Sequence, residues 1–178
     1  TNPVYFDEKT EKYYKLLSLE QAVTEQLATA IMHAMVCTAD RSKETLRTPD
    51  PKTFSSETPG HIWLCTDSIK SQGVLYDELG EDPALLTDEK RKENVLTLAL
   101  MRFLVQDRDA LGHNYLCSVR GHICAAFDYG LALESKEVAS RSGSDTQGSM
   151  MHQMFYEPQT PAGFLATLVI HELDHRDV

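Results

Sequence analysis

The stretch that most limits how this chain can fold is Phe164-Leu165-Ala166-Thr167-Leu168-Val169-Ile170, seven residues with almost no polar side. A helix apolar nearly all round must run through the middle of a domain. Its start signal is good: Thr160 suits the N-cap and Pro161 suits the first helical position, where no intrahelical N–H is lost. The helix then carries His171-Glu172-Leu173-Asp174-His175, with only Arg176-Asp177-Val178 beyond it. Residues four apart share a helix face, so both imidazoles of His171 and His175 can turn to one ion. Glu172 lies about 100° round the helix, beside that face, where a carboxylate can take a proton from an activated water.

The rest of the chain is that of an ordinary folded domain. At 178 residues it is long enough to bury a core, and a single domain over 1–178 is expected. No run reaches the roughly 18 apolar residues of a membrane span. The net charge of -10 repels phosphate backbones, so nucleic acid is not an expected partner. The chain opens at Thr1-Asn2-Pro3, which reads as a mature product or a trimmed chain. Cys37, Cys65, Cys117 and Cys124 are even in number and form no C-x-x-C pair. Two disulfides are expected, and with them a secreted, extracellular protein.

Helical spacing of Leu16, Leu19, Val23, Leu27, Ala30, Ile31 and Met35 predicts a long amphipathic helix from about Asp7 to Ala39. Arg41 to Gly60, with Pro49, Pro51 and Pro59, predicts a surface loop. His61-Ile62-Trp63-Leu64-Cys65 predicts a strand. A second helix is expected to start at Pro83 or Asp88 and to end near Gln106. Gly112 to Gly130 mixes strand signals at Asn114–Val119 with strand or helix signals at Ile123–Phe127. Arg141 to Ser149 is a linker or a mobile loop.

The words T-L-V-I-H-E-L-D-H resemble the active-site helix of the zincin metallopeptidases. H-I-W-L-C, the long first helix and the even cysteine count are similar to the secreted fungal deuterolysin, or aspzincin, group. That resemblance implies an α+β fold dominated by helices, with a small sheet and the motif on a buried C-terminal helix. It implies a zinc-dependent metalloendopeptidase acting on proteins or peptides, with Zn2+ held by His171 and His175 and with Glu172 as the catalytic carboxylate. Aspzincins take a third ligand from a downstream G-T-x-x-D, and this chain has none. The expectation is therefore a chain truncated after Val178, or a site completed by His113, His122, His152 or Cys124. H-E-L-D-H also resembles the third motif of peptide deformylase, whose remaining ligand is an upstream Cys. The alternative function is a non-catalytic secreted interaction or effector protein.

Overall fold

The computed structural model describes residues 3–40, 45–79, 81, 83–107, 112–130 and 132–133. The chain begins with a β-hairpin, not with a helix. Strands β1 (Val4–Asp7) and β2 (Lys12–Ser18) pair antiparallel, from Val4 opposite Lys15 to Asp7 opposite Lys12. The Asp7 carboxylate holds the turn, accepting from Lys9 N at 2.9 Å and Thr10 Oγ1 at 2.7 Å. Residues 12–18 alternate with period 2: Tyr13, Lys15 and Leu17 point one way, and Tyr14 and Leu16 the other. Aromatic and long side chains at that spacing fit a pleated surface, which defeats the helical reading of this stretch.

Helix α1 (Leu19–Ala39) follows β2 without a connecting residue. Ser18 makes the break, because its Oγ accepts from Gln21 N at 3.3 Å while the Gln21 side chain accepts from Ser18 N at 3.4 Å. This reciprocal cap satisfies two donors that the first turn would leave open. The supposed loop after α1 holds two strands, β3 (Leu46–Arg47) and β4 (Pro51–Ser55). Strand β5 (His61–Asp67) forms where the sequence predicts it, and pairs with both β2 and β4. The first sheet therefore runs β1-β2-β5-β4.

A second sheet is built from β6 (Tyr76–Glu78), β7 (Tyr115–Ser118), β8 (Cys124–Ala126) and β3, in the order β3-β8-β7-β6. Strand β3 joins it in parallel to β8, with Leu46 opposite Cys124. Helix α2 (Glu89–Leu104) starts at Asp88, whose carboxylate accepts from Arg91 N at 2.8 Å. One face of the second sheet, with Tyr115, Cys117, Cys124 and Ala126, packs on α1 and α2 through Met32, Val36, Val95 and Leu98. The opposite face, with Leu116 and Ala125, meets Ile69. Leu17, Leu64 and Ala22 tie the first sheet to α1.

The architecture corrects the expected mainly helical, zincin-like domain with a small sheet. Among the described residues, two α-helices stand against eight strands in two four-stranded sheets. The C-terminal helix on which that expectation rested, and the Arg141–Ser149 linker, lie outside the described residues. The four cysteines are free thiols, so the two expected disulfides are not formed. Cys117 and Cys124 face each other across β7 and β8 with their sulfurs 3.7 Å apart.

Candidate functional site

A cavity of about 250 Å³ opens between the two sheets. Val4, Tyr13, Lys15, Leu64 and Thr66 line it from the first sheet, and Leu116, Phe127 and Asp128 from β7 and the end of β8. The connection from β5, Asp67 to Lys70, forms a third wall. A small number of polar groups converging in a largely apolar cleft is the usual character of a small-molecule site.

Those polar groups meet at Lys15. Its period-2 position on β2 turns the side chain to the cavity side, and α1 begins so soon afterwards that Glu25 lies back over the strand. Lys15 Nζ donates to Glu25 Oε1 at 2.7 Å and to Asp128 Oδ1 at 2.7 Å. The partners do not shift symmetrically. Burial pushes the Glu25 carboxyl above the usual carboxylate range, and its pairing with Lys15 only partly offsets this. Burial acts to lower the Lys15 pKa, but the two carboxylates outweigh it and hold the ammonium charged beyond the ordinary lysine range.

Asp128 is held in an uncommon conformation. Its φ of 58° is left-handed, a region a non-glycine residue enters at a cost. Gly130 follows two residues later, where an added Cβ would come within 3.4 Å of both Asp128 Oδ1 and Glu25 Oε2. Gly130 thus lies in van der Waals reach of both carboxylates. Tyr129 anchors the segment, its hydroxyl donating to Ala126 O at 2.8 Å. Asn114, buried just before β7, is linked to the same segment because its carbonyl accepts from Phe127 N at 3.2 Å.

A neighbouring cavity of about 230 Å³ is lined by His33 and Cys37, whose Nε2 and Sγ are 3.5 Å apart on successive turns of α1. His61 contacts Pro59 O at 3.0 Å and His122 contacts the Asp88 carboxylate at 2.9 Å. Among the described residues, no group of three or more His, Cys, Asp and Glu is arranged to hold a metal ion. His171, Glu172 and His175 lie outside the described residues, as do His152 and Asp177.

Lys15, Glu25, Asn114 and Asp128 are not among the site residues expected from sequence. Two local words could have found half of them. Arg108-Asp109 is followed by Asn114 with four residues between Asp109 and Asn114, and Asp128-Tyr129-Gly130 comes next after an apolar run. Lys15 and Glu25 have no such word, since K-Y-Y-K and a lone helical Glu occur on many surfaces. No protein-family model matches the chain, and no curated protein matches it.

Proposed function

We propose that this chain is a nucleotide-dependent phosphotransferase with a site of the protein-kinase type. One observation carries the reading: a strand lysine paired to a glutamate of the next helix, meeting an aspartate that follows a late strand. Kinase sites use a strand Lys on the nucleotide phosphates, held by a helix Glu, and an Asp of D-F-G on the metal. Their catalytic loop, H-R-D-x-x-x-x-N, supplies the base and a second metal-binding amide.

Lys15, Glu25 and Asp128-Tyr129-Gly130 fit those roles, and Asp107-Arg108-Asp109 with Asn114 fits the loop's spacing. Asp109, outside the described residues, is then the base that accepts the acceptor hydroxyl's proton. Departures are specific. Asp107 replaces the loop's His and Tyr129 replaces the Phe of D-F-G. The β1–β2 turn, Glu8-Lys9-Thr10-Glu11, has no glycine-rich cover. Phosphate contact there would face two acidic side chains, so Lys15 bears more of it.

Mg2+ is commonly bound by one or two carboxylates plus substrate phosphates, so a preformed cage of protein ligands is not needed. Asp128, whose side chain is 41% exposed and lines the cavity, would hold it, and the spacing from Asp109 assigns the second ligand's role to Asn114, which is buried just before β7 and does not line the cavity. When bound, the ion would neutralise charge on the phosphate oxygens. Val4, Leu64 and Leu116 offer apolar surface for a flat base. Glu25 keeps Lys15 extended toward the phosphates. The test is calorimetry with a non-hydrolysable ATP analogue and Mg2+, together with phosphate transfer from labelled ATP. Binding lost in Lys15→Met and transfer lost in Asp128→Asn are expected. Absence of binding to the unmodified chain would overturn the reading.

A second reading rests on His171-Glu172-Leu173-Asp174-His175. In it the chain is a secreted zinc-dependent metalloendopeptidase acting on a protein or peptide. His171 and His175 would hold Zn2+, which would supply Lewis-acid activation of water, and Glu172 would take the proton. Glu172→Gln should keep zinc and lose hydrolysis. Zinc measured after dialysis against a mild chelator, with His171→Ala as control, decides whether the motif binds metal. Zinc unchanged in His171→Ala would overturn this second reading.

A further inference from the structure

We propose that Arg102 is a positioning residue that fixes Asn114 and Asp128 in the arrangement needed to hold a divalent cation against a bound nucleotide. The proposal rests on the phosphotransferase reading. Arg102 occupies the last turn of α2 and is 0% exposed. A cation is costly to bury, so the groups around it show what it is for.

Its guanidinium donates through Nη1 to Phe127 O at 2.8 Å and, at a longer 3.4 Å, to Asn114 O. Nη2 donates to Asp128 O at 3.1 Å and pairs with the fully buried Asp107 carboxylate. The carbonyl partners therefore lie on both segments that carry the cation-holding residues. Two of them flank the left-handed turn at Asp128, where the backbone needs an external hold. The rings of Tyr115 and Tyr129 enclose the guanidinium, with centroids 5.2 and 4.9 Å from its central carbon. Both tyrosines are themselves next to Asn114 or Asp128 in the chain. Asp107 fixes the fork from the other side, and it stands at the start of the Asp107-Arg108-Asp109 triplet. One planar donor thus ties Asp107, Asn114 and Asp128 into a unit. Lysine cannot reproduce it, because an ammonium is a point donor without the fork.

The experiment uses the full chain and Arg102→Lys, with circular dichroism and thermal melting as a check of folding. Affinity for a non-hydrolysable ATP analogue is measured by calorimetry without metal and across a Mg2+ titration. Arg102→Lys should leave metal-free binding at the wild-type value. The Mg2+ concentration for half-maximal enhancement should rise about tenfold or more, the usual effect of removing a support behind a metal ligand. An unchanged Mg2+ requirement, or an equal loss with and without metal, overturns the positioning role. If Arg102→Lys does not fold, Asp107→Asn carries the same test with a shift in the same direction, and an unshifted Mg2+ requirement is again fatal. A wild-type chain that binds no nucleotide, or binds it without regard to Mg2+, overturns the phosphotransferase reading itself and is distinct from a failure in the variant alone.

Discussion

Lys15 serves two carboxylates with one ammonium, and that shared use makes it the most sensitive residue of the site. Lys15→Met leaves the Glu25 carboxyl without its ammonium partner at 7% side-chain exposure, which should cost about 3 kcal/mol at neutral pH. Glu25 already titrates above its ordinary 4.5, so acid protonates it in the folded chain before the unfolded one. The variant's deficit should therefore shrink as pH falls toward 4.5, and urea unfolding at several pH values checks this. In the unmodified chain the Lys15 contribution has the opposite dependence. Its folded pKa is raised, so its stabilisation is complete below 10.5 and is lost as pH rises through the folded value. These residues were hard to read because the contact that gives Lys15 its meaning spans 113 positions, to Asp128. Asn114 and Asp128-Tyr129-Gly130 sit in local words of the sequence, whereas Lys15 and Glu25 have none.

Helix α1 illustrates why element-level reading succeeded only in part. Its existence and its end near Ala39 follow from the spacing. Its buried face does not. Leu19, Val23 and Leu27 are more than half exposed, while Ala22, Glu25, Ala28, Thr29, Met32 and Val36 are buried. The inward face carries the polar groups of the site and the small residues that let the sheets approach, so hydropathy selects the wrong side. Strand β5 and α2 were legible because each has a local signature, strand formers in one case and an aspartate cap in the other. Strands β3 and β4 were not, because their partners are distant and their side chains are mixed. Two measurements test the element-level account. Ser18→Ala removes the reciprocal cap at the β2–α1 junction and should destabilise by about 1 kcal/mol in urea unfolding. Leu98→Ala leaves a hole where α2 meets the second sheet and should cost about 3 kcal/mol.

At the scale of the whole molecule, the cavity lies between two sheets, and a ligand that binds there stabilises the contact between them. A nucleotide analogue with Mg2+ at 100 times its dissociation constant should add about 2.7 kcal/mol, raising the melting temperature by about 5–10 °C. Lys15→Met should lose that increment, and its retention would place the ligand elsewhere. The same view gives the short parallel strand Leu46–Arg47 an importance its length hides. It comes from the N-terminal half, yet it covers the outer edge of β8 in the other sheet, where Cys124 N donates to Thr45 O at 2.8 Å. A protein divided between Asp67 and Ser68 would leave that edge as an open row of backbone donors and acceptors, a template for recruiting other chains. The piece from Ser68 to Leu133 made alone should sediment as aggregates, and should become soluble when the piece ending at Asp67 is produced beside it. The segment that shields this edge is thus supplied in advance by the part of the chain made first, a built-in chaperone for the part that follows.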